Sequence, residues 1–331
     1  VDAAARRAAQ RLRRAGSVTV VGHINPDGDA LGSVLALTEG LRTIGVPAVA
    51  TWGARHEGQE PAPLSDALAA VLPTDGLVAA GMITEPPEVL VSCDTAAASR
   101  LGTLSHLAAQ ATDVVVIDHH AVGEPFGDIR VVDEHASCTG VLVLEVLRHL
   151  DVPLTPPLAN AIYLALLTDT GRFGFSSTGP ADHRVAAGLL EAGADHAAVG
   201  EAVYASASRG YLTLVSRVTR RATVTDTMVS SYVTLDDLAQ TRTSSDEPDG
   251  LIDLLRSVGD IDVTCFLRET QPLVWRSSLR SRGGTDVAQI ARAMGGGGHR
   301  RAAGFTGRGT ASEVVAAVRS LLPEEQLEVA G

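Results

Sequence analysis

The stretch His23-Ile24-Asn25-Pro26-Asp27-Gly28-Asp29-Ala30-Leu31-Gly32 decides how the chain is read, because it joins a strand to a helix through a histidine and two carboxylates. Before it, Ser17 to Gly22 (SVTVVG) is a short β-branched run and reads as a buried strand. After it, Leu31, Val34, Leu35, Leu41 and Ile44 recur at helical spacing, which predicts a helix from about Asp29 to Ile44. Asp27 and Asp29 are two apart, so in extended backbone their carboxylates point the same way. Gly28 between them permits a tight turn, and His23 sits at the carboxyl end of the strand. A helix cap explains one of the two aspartates. It leaves the other, and His23, unexplained.

The same grouping recurs further along. VLVSCD places Asp94 at the end of a strand over Val89–Cys93, and VVVIDHH places Asp118, His119 and His120 after a strand over Val114–Ile117. Further strands are expected at Ala48–Thr51 and Ile129–Val132, and helices at Thr139–Leu150 and from Thr155-Pro156-Pro157 through Leu167. Alternating short strands and helices predict a mostly parallel sheet flanked by helices. In such sheets the carboxyl ends of the strands line the ligand crevice. Three strands ending in Asp and His therefore point to a metal site. Asp169, in LLTDTGRF, is a natural further ligand, since an acid at a helix C-terminus is disfavoured by the dipole unless a cation is near.

At 331 residues the chain has the length of about two domains, and its 45% hydrophobic content excludes disorder and coiled coil as the main description. It carries 27 basic against 39 acidic residues, a net charge of −12, so binding to long duplex DNA or an anionic membrane is not expected. All the basic residues are Arg, which excludes P-loop and Schiff-base lysine chemistry. Cys93, Cys138 and Cys265 are odd in number and dispersed, as expected of reduced thiols in a cytoplasmic protein. No apolar run approaches the ~18–20 residues of a bilayer span. The Arg-rich start lacks an apolar core and reads as an amphipathic surface helix rather than a targeting segment.

Ala181–Ser208 is Ala-rich and helical, and reads as a connector. Strands are then expected near Met228–Leu235, Val263–Arg268 and Leu273–Ser278, with helices near Gly250–Val258 and Asp286–Met294 and a polar loop from Thr241 to Gly250. The expected organisation is an α/β catalytic domain over 1–185, a helical linker over 186–210, and a smaller α/β domain over 211–331. Leu273 to Thr310 holds Arg276, Arg280, Arg282, Arg292, Arg300, Arg301 and Arg308 against Asp286 alone, a concentration suited to gripping phosphate. Gly295–Gly298 allow a close backbone approach and an anion-binding nest, and His299 follows directly. With 3% aromatic residues an extended track of stacked bases is not expected, so the substrate should be short.

In their order, HINPDGDALGS, Asp94, Asp118-His119-His120, LLTDTGRF and GGGGHRRAAG resemble the motifs of the DHH phosphoesterase superfamily and its associated C-terminal domain. The overall size resembles the compact oligoribonuclease and pAp-phosphatase branch, which includes cyclic-di-AMP phosphodiesterases. The resemblance implies an active site in the cleft between the two domains. It also implies one metal on His23, Asp27 and Asp94, and a second on Asp29, Asp94, His119 and Asp169, with Asp94 bridging. Asp118 would orient a ligand histidine, His120 would face the phosphate, and Arg280, Gly297, Gly298 and His299 would hold the nucleotide. Family practice favours two Mn²⁺, and Mg²⁺, Co²⁺ or Zn²⁺ suit the same donors.

The expected substrates are cyclic di-AMP, its linear product pApA, short oligoribonucleotides and pAp. Two other functions compete: a family-II-type inorganic pyrophosphatase, against which GGGGHRRAAG argues, and a cyclic-dinucleotide sensor that binds without cleaving. The apolar content of Thr139–Leu150 and Leu158–Leu167 exceeds what one sheet contact requires, and with the family resemblance suggests a homodimer.

Overall fold

The computed structural model describes residues 1–95, 97–120, 126–244 and 247–323. The chain divides into two compact units, Val1–Ser206 and a second beginning at Ala207.

In the first unit a parallel sheet is built from β1 (Val18–Gly22), β2 (Ala48–Trp52), β3 (Val89–Cys93), β4 (Asp113–Asp118) and β5 (Ile129–Val132). The strand order is β2-β1-β3-β4-β5, with Val20 opposite Ala50 and Val91, and Val91 opposite Val115. Its helices are α1 (Asp2–Arg13), α2 (Gly28–Thr43), α3 (Asp66–Ala69), α4 (Leu107–Gln110), α5 (Thr139–His149), α6 (Pro156–Asp169), α7 (Pro180–Glu191) and α8 (His196–Tyr204). Both faces of the sheet are covered, which is why its strands read as continuous apolar runs. Val20, Val91, Val115 and Ile117 face the large core shared with α1, α2, α5 and α6. Val21, Leu90, Val114 and Val116 face a smaller one closed by Leu101, Leu104 and Leu107.

Small residues set how closely α2 approaches its neighbours. A Cβ on Gly32 would lie 2.2 Å from the carbonyl oxygen of Ala161 in α6, and one on Gly28 would lie 2.5 Å from Thr168. This close crossing carries Asp29, in the first turn of α2, toward Asp169, the last residue of α6. Gly32→Ala should therefore destabilise the fold by about 1–3 kcal/mol, because backbone rather than a flexible side chain must move. Urea denaturation checks this, and an unchanged midpoint would refute the close crossing.

Nearly all of the segment expected to be a connector, up to Ser206, is part of the first unit. Leu189 of α7 and Val199 of α8 are buried in the large core. Burial within one chain also accounts for the apolar surplus of α5 and α6: Leu158, Ile162, Leu164 and Leu166 are all 0–1% exposed. The packing argument for a homodimer is thereby removed. Among the described residues no helix is long and apolar enough to cross a membrane. The three cysteines are buried and free.

The second unit holds α9 (Tyr211–Arg221), β6 (Thr223–Val224), β7 (Met228–Val233), α10 (Leu235–Thr241), α11 (Leu251–Arg256), β8 (Val263–Gln271), β9 (Val274–Ser281), α12 (Val287–Ala293), β10 (Gly297–His299), β11 (Ala302–Arg308) and α13 (Ala311–Ser320). Its mixed sheet has the order β10-β11-β9-β8-β7-β6, with only β7 and β8 parallel. One face packs on α12 and α13 through Leu279, Phe305 and Val314, and the other on α9 and α11 through Val229, Phe266 and Leu255. Asp237, buried at the start of α10, binds both Arg217 and Arg221 and so ties α9 to α10. The loop expected from Thr241 to Gly250 includes Ser245 and Asp246, which lie outside the described residues.

Candidate metal centre

The site is built at the carboxyl ends of β1, β3 and β4. His23 leaves β1 and is 5% exposed, with its Nδ1 2.8 Å from the carbonyl of Ile24. Asp27 caps α2: its Oδ1 accepts from the amides of Asp29 and Ala30, both at 3.1 Å. The capping explanation is thus correct for one oxygen, while Oδ2 lies 3.8 Å from His23 Nε2. Asp94 follows β3 in the left-handed region, at φ 59°, a conformation that aspartate tolerates better than most side chains. Its Oδ2 lies 3.4 Å from His23 Nε2 and its Oδ1 lies 3.7 Å from His119 Nε2.

His119 Nε2 also lies 3.7 Å from Asp29 Oδ2 and 3.3 Å from Asp169 Oδ2. Ligand atoms of His23, Asp27 and Asp94 fall within 4.8 Å of one another, and so do those of Asp29, His119 and Asp169. The six side chains expected as ligands are brought together in two groups, with one Asp94 oxygen toward each.

Asp118 and His120 stand beside these groups, with one partner different from expectation. Asp118 does not hold a ligand histidine. Its Oδ1 lies 2.7 Å from His120 Nδ1 and accepts the His120 amide at 3.2 Å, a local turn in which an aspartate bonds the backbone two residues on. His119 is instead oriented by the carbonyl of Ala136, 3.2 Å from its Nδ1.

The electrostatics favour a cation. Burial, followed by repulsion from Asp29, raises the Asp94 pKa well above the carboxylate range. Burial likewise raises that of Asp29. Burial opposes a charge on His23, but hydrogen bonds to Asp27 and Asp94 outweigh it and lift its pKa to about 10. Burial of several carboxylates together thus disfavours their negative charge unless a positive charge is near. Four carboxylates and two imidazoles with no thiolate suit hard or borderline divalent ions. Cys93 and Cys138 lie close by, but burial and the neighbouring carboxylates push their thiols up, so neither is a nucleophile.

Part of the arrangement has no counterpart in the expected motifs. The amides of Thr139 and Gly140, at the start of α5, donate to Asp29 Oδ2 and Oδ1 at 2.7 and 3.0 Å. Thr139 Oγ1 donates to Asp94 Oδ1 at 3.1 Å. The available signal was the small polar run Ser137-Cys138-Thr139-Gly140 before an apolar helix.

In the second unit, Arg280 of β9 pairs with Ala302 of β11, which pairs with His299 of β10. Paired residues share a face, so Arg280 and His299 lie in one row across three strands. The four glycines do not form a continuous nest. Gly295, at φ 79°, and Gly296 spend their amides on the carbonyls of Arg292 and Ala291, closing α12. Gly297 and Gly298 enter the edge strand β10 and are exposed, as is His299.

A parallel sheet that gathers carboxylates and imidazoles at its strand ends, without a nucleophilic side chain, is the site of a phosphoesterase. The chain belongs to the DHH family: residues 17–166 match the DHH family N-terminal domain, and residues 226–324 match the DHHA1 domain. It is 32% identical over 295 residues to the bifunctional oligoribonuclease and PAP phosphatase NrnA of Thermus thermophilus, covering 89% of this chain and 85% of that one. The Bacillus subtilis protein of the same name is 26% identical, covering 85% and 86%. An exopolyphosphatase-related protein of Bacteroides fragilis has the same fold, with a TM-score of 0.86, 24% identity and coverage of 97% and 95%. RecJ of Thermus thermophilus in complex with Mn²⁺ aligns at a TM-score of 0.57 and 15% identity, over 97% of this chain and 55% of that one.

Proposed function

We propose that the chain is a two-metal phosphodiesterase and phosphatase of short nucleotides. It would cleave short oligoribonucleotides to mononucleotides, pAp to AMP and phosphate, and cyclic di-AMP and pApA to AMP. The observation that carries this reading is Asp94, whose two oxygens face two separate donor groups. The 32% identity to an oligoribonuclease and PAP phosphatase supports the substrate class.

His23, Asp27 and Asp94 would hold one cation, and Asp29, Asp94, His119 and Asp169 the other. Two Mn²⁺, or Mg²⁺, Co²⁺ or Zn²⁺ in their place, would lower the pKa of a water and offset charge on the phosphate oxygens. Asp118 holds the Nδ1 side of His120. That contact would orient the His120 ring, and His120 would face the phosphate. In the second unit Arg280, Gly297, Gly298 and His299 would hold the nucleotide, so that binding energy away from the reacting centre orients the scissile phosphate.

The test is one Mn²⁺-dependent assay comparing cyclic di-AMP, pApA, longer oligoribonucleotides and pAp, with products resolved by chromatography. AMP from pApA and pAp is expected. With pyrophosphate added as a further substrate, phosphate released from it alone would establish a pyrophosphatase, and binding of cyclic di-AMP with every ligand recovered intact would establish a sensor. Under this reading the protein would act in the cytoplasm. The homodimer rests on the family resemblance, and a sedimentation mass near that of one 34.2 kDa chain would exclude it.

A further inference from the structure

Asp94 is asked to serve two donor groups at once, and that requires its carboxylate to be held in one rotation. Asp94 Oδ2 faces His23 at 3.4 Å, while Oδ1 faces His119 at 3.7 Å and His120 at 3.6 Å. All of these neighbours are imidazoles: a bound cation would engage His23 and His119, and the Nδ1 of His120 is already 2.7 Å from Asp118. One neighbour of Oδ1 is not: Thr139 Oγ1, which donates at 3.1 Å from a side chain with no exposure.

Thr139 and its chain neighbours are held in place by buried or partly buried hydrogen bonds. Its own amide donates to Asp29 Oδ2 at 2.7 Å, and the next amide, of Gly140, donates to Asp29 Oδ1 at 3.0 Å. Two residues earlier, Ser137 Oγ donates to Asp182 Oδ1 at 2.6 Å in a buried contact that ties the start of α5 to α7. Between them and the sheet, the Ala136 carbonyl orients His119. One short segment, Ala136 to Gly140, therefore touches Asp29, Asp94 and His119, one side chain from the end of each of three different elements.

We propose that Thr139 is a positioning residue that sets the rotation of Asp94, so that its two oxygens are presented to both donor groups. This rests on the two-metal reading above. A hydroxyl with a single donated hydrogen bond is suited to the task, because it fixes one carboxylate oxygen and leaves the opposite one open. Side chains that orient metal ligands in this way typically change metal affinity by about 10–100-fold when removed.

The test compares wild type, Thr139→Val and Thr139→Ser by Mn²⁺ titration calorimetry and by electron paramagnetic resonance of the Mn²⁺-loaded proteins. Valine keeps the branched shape and removes the hydroxyl, and serine keeps the hydroxyl. Wild type should bind two Mn²⁺ with a spin-coupled signal. Thr139→Val should bind one of the two at least tenfold more weakly and show the uncoupled six-line signal of isolated Mn²⁺ at two equivalents. Thr139→Ser should restore coupling. If Thr139→Val fails to fold, Thr139→Ala remains: in the same titrations it should repeat the loss that Thr139→Ser avoids. Two coupled Mn²⁺ of unchanged affinity in a folded variant lacking the hydroxyl would overturn the role of Thr139. A wild type that binds a single Mn²⁺ would overturn the two-metal reading instead.

Discussion

Replacing Asp94 by alanine or asparagine is expected to abolish turnover of every substrate, by about three orders of magnitude or more. Each other donor serves mainly one group, whereas Asp94 faces both. Losing it removes a carboxylate from each cation at once. Alanine would also strain the left-handed backbone at φ 59°. Asparagine keeps that conformation and the shape while removing the charge, so equal losses in the two variants would assign the effect to the carboxylate. The measurement is kcat/KM on pApA and on a small synthetic phosphodiester. Asp94→Asn with more than a tenth of wild-type activity on either substrate would contradict the bridging role.

His299→Ala is expected to lower hydrolysis of pApA by about two orders of magnitude while sparing most activity on the small synthetic diester. Among the described residues, every cluster of His, Asp and Glu capable of holding a cation lies in the first unit. His299 instead sits on the edge strand β10, in one row with Arg280. Under the proposed function a residue there would contribute by gripping the nucleotide, and a substrate too small to be gripped would not depend on it. The check is the ratio of the two rates in mutant and wild type. Equal losses on both substrates would place His299 in the chemical step and end the division of labour between the units.

The first unit was largely legible because its elements carry strong local signals. The strands over 89–93 and 129–132 begin and end where their β-branched runs do, since burial on both faces leaves no alternation to misread. Among the candidate donors, His23, Asp94 and His119 stood out because they follow apolar strands, whereas Asp27, Asp29 and Asp169 lie at helix ends, where a cap or a turn offers a competing reading. What was not legible depends on partners distant in sequence or on backbone groups. The bonds from the amides of Thr139 and Gly140 to Asp29 span 110 and 111 residues and leave no trace in residue type.

Asp118 bonds His120, which was not among the histidines expected as ligands, because a turn of two residues and not composition sets its partner. Likewise GGGG announces conformational freedom without saying how it is used. Here Gly295 and Gly296 close α12, and Gly297 and Gly298 begin an edge strand. The strand β11 escaped notice because Gly and Ala dilute it, while α9 carries helical spacing, Tyr211, Leu214, Val215 and Val218, that was passed over.

The central claim is that the clustered carboxylates work only through cations, and titrating chelated protein with Mn²⁺ while following pApA hydrolysis tests it most directly. The account predicts no turnover in chelated buffer, a rate that rises with added Mn²⁺ and levels off at two equivalents per chain, and poor replacement by Ca²⁺. Full activity in chelated, metal-free buffer would contradict it.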